Sequence, residues 1–209
     1  MELECEADEG PVFFFESDES NGFLSQAFLS SIEDVHVKFN CSEQFFQAIK
    51  AKMFSDNDEL YKAIMSATDP REQKALGKHI KADDANIPSY WVRVGAYQVI
   101  KVATLLKFKI SEHASMLAQK LIATGYRELV MADPDDAFLG IGMDRVSAAA
   151  HVGPWPGRNL LGEALMEVRL SLRVEANLRE ERKVFSMARF RVTCPAVSSS
   201  QVDTDQETE

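Results

Sequence analysis

One stretch constrains this chain more than any other: Ser42-Glu43-Gln44-Phe45-Phe46-Gln47-Ala48-Ile49-Lys50-Ala51-Lys52-Met53-Phe54. It reads as a helix with Ser42 placed to cap its N-terminus. At about 100° per residue, Glu43, Gln47 and Lys50 fall on one face. Phe45, Phe46, Ile49, Met53 and Phe54 make the remainder largely apolar. Two readings of the polar stripe are open. It is the solvent-facing edge of an amphipathic helix, or it lines a pocket where a carboxylate and an ammonium share one wall.

The flanking sequence places this helix in a mixed fold. Val12-Phe13-Phe14-Phe15 reads as a short buried strand. Val35, Val37, Phe39 and Cys41 alternate with His36, Lys38 and Asn40, the pattern of a half-buried strand that runs straight into the helix. Downstream, helical spacing predicts segments over 58–67, from Pro70 to Ile80 with Asp69 as N-cap, from Ser89 through Leu106, over 112–123 before Gly125, and from Asn159 through the charged run 175–183. Residues 127–132 are strand-like, and 82–88 and 133–142 read as loops. The expected fold is α+β: a mainly α-helical single domain, residues 12–190, with a small β-sheet. An acidic arm at 1–11 and an acidic low-complexity tail at 191–209 are expected to be disordered.

With 209 residues, 45% of them hydrophobic, the chain can bury one sizeable core. The net charge of −10 argues against a nucleic-acid surface built on bulk positive charge. Cys5, Cys41 and Cys194 are too few and too scattered for a disulfide framework or a metal cluster. The four histidines, His36, His79, His113 and His151, lack ligand spacing. No apolar run approaches the roughly 20 residues of a membrane span. A reduced, intracellular, cytoplasmic protein with no metal and no cofactor is the expectation.

Two further stretches carry chemistry. Asp133-Pro134-Asp135-Asp136 precedes Gly140-Ile141-Gly142. Its spacing fails as a calcium loop, with Phe138 where glycine is needed and Asp144 where glutamate is usual. It is an ordinary turn or a carboxylate-bearing site loop. Trp155-Pro156-Gly157-Arg158-Asn159 brings an aromatic ring and a cation to a helix start, which suits either a base and a phosphate or simple packing.

The chain resembles the NADAR domain, or YbiA-like, family. The resemblance rests on motifs in a fixed order: Gly22-Phe23-Leu24-Ser25; the stretch from Ser42 to Ala51; Lys74-Ala75-Leu76-Gly77-Lys78; Trp91; Lys107-Phe108; Thr124-Gly125; Asp136 with Gly140-Ile141-Gly142; and Trp155-x-Gly157-x-Asn159-Leu160-Leu161-Gly162 leading to Leu165–Arg169. It implies an N-glycosidase that breaks the C1′–N bond of a phosphorylated ribose. The implied substrates are a small phosphoribosyl compound of riboflavin biosynthesis, an ADP-ribosyl or NAD-derived compound, or ADP-ribosylated nucleic acid, with no membrane partner.

Carried over residue by residue, the resemblance makes Glu43, Asp136 and Lys50 catalytic candidates. It places Gln47, Lys78, Trp91, Trp155 and Asn159 around the substrate. Lys50 would hold a phosphate or form a Schiff base with ring-opened ribose. Four positions depart from the family pattern: Leu139 stands where a tryptophan is usual, Met131 for a glutamate, Gln26 within Ser25-Gln26-Ala27 for Ser-Asn-Phe, and Lys78 for an arginine. A catalytically weakened or inactive module that binds ADP-ribose-type ligands or a protein partner is the alternative function.

Overall fold

The computed structural model describes residues 10–17, 19–34, 37–54, 58–80 and 89–192. The expected loop at 82–88, most of the N-terminal arm, His36, and the tail from residue 193 lie outside the described residues. In chain order the elements are β1 (Val12–Phe14), β2 (Ile32–Asp34), β3 (Val37–Phe39), α1 (Ser42–Phe54), α2 (Asp58–Ser66), α3 (Pro70–Gly77), α4 (Ala96–Lys109), α5 (Ala114–Ala123), β4 (Leu129–Met131), α6 (Arg145–Ala150) and α7 (Leu160–Val192). The fold is mainly helical, as expected. Its strand content is divided: β1 pairs in parallel with β4, and β2 pairs antiparallel with β3.

The described residues fall into two compact units, one ending at Leu172 and one beginning at Arg173. The first unit holds every element up to the opening turns of α7. The second carries the continuation of that helix through the charged run.

Period-2 alternation sorts β1 and β4 onto two cores. Val12, Phe14, Leu129 and Met131 face the main cluster, with Phe23, Ile100, Phe108, Leu121 and Leu161. Val130 faces the opposite side, where it packs with Ile141, Ala148, Phe13 and Trp155. The site loop leaves directly from β4, so the strand that divides the two cores also fixes where that loop begins.

Local chemistry explains several boundaries. Asp69 caps α3 by accepting from the Arg71 N–H, with Pro70 at the first helical position. Gly125 ends the α5 region at φ 68°, a conformation that favours glycine. α6 has no counterpart among the sequence expectations. Its signal is Asp144, whose carboxylate accepts from the Val146 and Ser147 N–H groups. A π-helical turn, Trp91–Gly95, precedes α4. Ser42 differs from expectation: it lies inside α1, and its hydroxyl donates to the Ala103 carbonyl at 3.3 Å instead of capping the helix.

Candidate functional site

The polar stripe of α1 faces inward. Ser42, Glu43, Gln44 and Gln47 are all buried, so the solvent-edge reading of the helix does not hold. The polar residues divide the work. Gln44 anchors the helix: its Oε1 accepts from the Asn40 N–H at 2.8 Å, and its Nε2 donates to the Ile64 carbonyl at 3.0 Å. The Glu43 N–H is taken by the Gln26 carbonyl at 3.0 Å. The helix start therefore does not offer that N–H to a ligand. Glu43, Gln47 and Lys50 instead line a cavity of about 330 Å³.

Each of these three is fixed by a named partner. Gln47 Nε2 donates to Glu43 Oε1 at 2.8 Å. Lys50 Nζ donates to the Gly77 carbonyl at 2.8 Å. Gly77 leaves room for the Gln47 amide as it stands, because a Cβ on it would lie 1.8 Å from Gln47 Oε1. Across the cavity, Asp136 divides its carboxylate. Its Oδ1 accepts from the Phe138 and Leu139 N–H groups at 3.0 and 2.8 Å, which folds the loop. Its Oδ2 is left 3.7 Å from Lys74 Nζ. Phe46, Trp91 and Phe138 give the same cavity an aromatic lining.

A second cavity of about 290 Å³ adjoins the first and is lined by Gln26, Arg71, Asp133 and Asp135, among others. Glu43, Lys74, Lys78 and Leu139 line both. Glu43 thus stands at a junction.

The electrostatics follow from burial. Desolvation pushes the Glu43 carboxyl above the ordinary glutamate value; the Gln47 bond, Lys74 and Lys50 oppose this, and Asp136 adds to it. Desolvation draws the Lys50 ammonium below the ordinary lysine value, against the pull of Glu43. Lys74 moves the other way. Burial lowers it, but Asp136, Asp133 and Glu43 together carry it above the ordinary value. Two titrating groups on one wall are thus displaced toward each other, the arrangement acid–base chemistry needs. No group of three or more His, Cys, Asp or Glu side chains among the described residues is set to hold a metal ion.

The model of the NADAR domain matches residues 13–173. The chain belongs to the NADAR family. The protein irg-1 of Caenorhabditis elegans is 30% identical over 159 residues, 76% of this chain and 72% of that protein. An N-glycosidase of Acanthamoeba polyphaga mimivirus is 31% identical over 129 residues, 61% of this chain and 71% of that one. A riboflavin biosynthesis protein of Vibrio vulnificus is 30% identical over 171 residues, 80% of this chain and 40% of that longer protein. The NMR structure of the E. coli protein YbiA superposes with a TM-score of 0.61 at 25% identity, covering 81% of this chain and 88% of YbiA.

Of the eight residues singled out from the NADAR motifs, six line the first cavity: Glu43, Gln47, Lys50, Lys78, Trp91 and Asp136. Trp91 is walled in: its ring stacks on Phe46 at 6.3 Å and meets the edge of Phe54 at 4.9 Å. The other two lie elsewhere. Trp155 donates from Nε1 to Glu128 Oε1 at 2.8 Å and packs against Phe13 and His151. Asn159, at φ 51°, accepts from the Met131 N–H at 3.1 Å and donates to the Leu129 carbonyl at 2.9 Å. It clamps β4 to the start of α7, and its side chain neither caps the helix nor lines either cavity. Sequence reasoning gave no role to Lys74, although it shares a face of α3 with Lys78 at i, i+4, a signal that was present.

The positions that the resemblance marks as departures line the two cavities. Leu139 lines both cavities, and Gln26 and Met131 line the second. Both amide atoms of Gln26 are buried without a hydrogen-bond partner among the described residues.

Proposed function

We propose that this protein is an N-glycosidase that hydrolyses the C1′–N bond of a phosphorylated ribosyl compound. The observation that carries the reading is the convergence of buried Glu43 with Asp136 and Lys50 on one aromatic-lined cavity. The names of the mimiviral and Vibrio relatives support it.

Cleavage of a ribosyl C–N bond develops positive charge at C1′ and negative charge on the departing nitrogen. A carboxylate beside C1′ stabilises the first, and a proton donor neutralises the second. Glu43, once ionised, faces C1′ and takes a proton from the attacking water as its oxygen bonds to C1′. Asp136, held on the opposite loop by its own Oδ1 bonds, supports the same developing cation through Oδ2. The electron pair of the breaking bond stays on nitrogen, which is protonated as it leaves. Lys50, made more acidic by burial, gives that proton. As the free amine it would instead add to C1′ of the ring-opened form, in which the C1′–O4′ bond has broken and C1′ is an imine, expel the base as its amine, and leave a Schiff base that water hydrolyses. Phe46 and Phe138 offer faces to a heterocycle. Phe138 supplies an aromatic surface beside Leu139, where the family tryptophan is absent. Lys78 has no ion-pair partner among the described residues and is left to meet phosphate.

The decisive experiment incubates the protein with ADP-ribosylated guanine DNA and, separately, with the phosphoribosylamino intermediate of riboflavin biosynthesis. Release of free base or ribose product is followed for wild type, Glu43→Gln and Asp136→Asn. Wild type is expected to turn over at least one substrate, and each variant to lose roughly a hundredfold to ten-thousandfold in rate. A wild-type protein that binds ADP-ribose yet releases no product would establish binding without turnover instead. Borohydride trapping separates the two roles of Lys50: an adduct on Lys50 marks the Schiff base, and its absence marks the proton donor.

A further inference from the structure

Lys74 stands at a point that neither cavity explains alone. It projects from α3 between the carboxylates of Asp133, at 3.3 Å, and Asp136, at 3.7 Å. Asp133 is itself buried and anchored, its Oδ1 accepting from the Asp135 N–H at 2.9 Å. The Asp136 carboxylate is pinned on its other edge by the loop N–H groups. Lys74 therefore sits in a fork whose two prongs are rigid. It also lines both cavities together with Glu43.

We propose that Lys74 is the positioning residue of this site: it ties the Asp133–Asp136 loop to α3 and holds a fixed positive charge opposite Glu43. The inference rests on Glu43 and Asp136 acting as the functional carboxylates, and it adds the group that sets their geometry and charge state. Two carboxylates already neutralise the Lys74 ammonium, so it is not the phosphate ligand. That task falls to Lys78. The distribution of charge supports this division. Glu43 feels Lys74 from α3, Asp136 from the facing loop and Lys50 from its own helix, with the Cys41 thiol just before that helix and Lys78 lining the same cavities. Arg71, Glu16, Asp133 and Asp135 line the second cavity beyond it, and Arg71 is paired with Glu16 at 3.1 Å. Among the cations acting on Glu43, Lys74 makes the strongest contribution, ahead of Lys50. Removing it leaves Asp136 repelling Glu43 with less to oppose it.

The test reads Glu43 directly. Carboxyl-labelled glutamate is followed by NMR through a pH titration of wild type, Lys74→Met, Lys74→Gln and Lys74→Arg, with Glu43→Gln assigning the resonance. The neutral variants are expected to raise the Glu43 midpoint by about one pH unit, and Lys74→Arg to restore it. ADP-ribose affinity is measured beside it: Lys74→Met is expected to bind within about threefold of wild type, and Lys78→Met to lose about tenfold. An unmoved Glu43 midpoint in whichever neutral variant folds overturns the proposal. So does a loss of ADP-ribose binding in Lys74→Met as large as in Lys78→Met, because that result makes Lys74 a phosphate ligand. Absence of hydrolysis by wild type would refute the glycosidase reading alone, since the titration does not depend on turnover.

Discussion

Glu43 meets two opposed demands. In the proposed reaction it must ionise to stabilise a cation, yet it is 5% exposed, and burial disfavours its charge. Gln47 reconciles them by donating one amide hydrogen to the carboxylate. Gly77 in turn leaves room for Gln47. A methyl group at residue 77 would meet only the flexible end of Gln47, so the fold can yield there at little cost. We expect Gly77→Ala to melt within a few degrees of wild type, roughly 1 kcal/mol or less, while its activity falls at least about tenfold as Gln47 turns away from Glu43. Thermal melts and initial rates on the same preparation check both halves. A large drop in melting temperature would show that Gly77 serves the fold rather than the site.

Residue-level legibility follows from the same geometry. The spacing of Glu43, Gln47 and Lys50 put them on one helical face, because helical periodicity is local. Which way that face points depends on partners far along the chain: Gly77, Lys74 and Asp136. No periodicity in residues 42–54 encodes them; only the ordered family motifs brought those segments into one picture. The motifs also drew in Trp155 and Asn159, whose side chains bond to Glu128 and to β4. An ordered motif records that a residue matters and leaves open whether it matters to the ligand or to the backbone.

At the scale of elements, the site depends on how β4, its loop and α7 are joined. Asn159 satisfies two buried backbone groups of β4, at Met131 and Leu129, and does so from a left-handed conformation. Gly162 allows α7 to lie against the same strand, since a Cβ there would come within 2.0 Å of the Leu129 carbonyl. Asn159→Ala leaves the Met131 N–H and the Leu129 carbonyl unpaired and strains the backbone. We expect a loss of roughly 2–4 kcal/mol in urea denaturation. Asn159→Gly should recover only the backbone part. If the alanine variant matches wild-type stability, the clamp is not holding the strand. Element types were readable in advance for β1, α1 and α3, where alternation, helical spacing and the Asp69–Pro70 cap are strong local signals. α6 was not, because six residues give too short a window for periodicity, and Asp144 by spacing reads as the last position of a failed calcium loop rather than as a cap.

Over the whole molecule, stability should depend on pH through a group outside the cavity. Lys107 of α4 is fully enclosed: its Nζ donates to the Ser25 carbonyl at 2.6 Å and lies over the rings of Phe28 and Phe108. Burial lowers its pKa from 10.5 to about 7, against a small opposing pull from Cys41. Above about pH 7 the unfolded chain holds a proton here that the folded chain has released, so stability rises with pH toward 10.5. Lys50, also lowered, acts in the same direction. Cys41, pushed up to about 11 by burial, works in the opposite direction above 9.0 and offsets the Lys107 contribution there. Urea denaturation should therefore show stability climbing by roughly 2 kcal/mol between about pH 7 and 9, with most of that climb absent from Lys107→Met. A flat profile in wild type would mean that Lys107 stays charged in the fold.

The parallel pairing of β1 with β4, Val12 opposite Leu129 and Phe14 opposite Met131, also fixes an order of events. A nascent chain leaving the ribosome presents the residues of α1 early, with Glu43 and Lys50 already at helical spacing. The first strand then waits, because its partner is translated only after five intervening helices. Asp136 follows that partner by a few residues, and the helix start that clamps it comes later still. The two halves of the cavity are thus made at different times. The carboxylate pair exists as a pair only once the far strand has been threaded beside the near one, which makes acquisition of the site a report on completed folding.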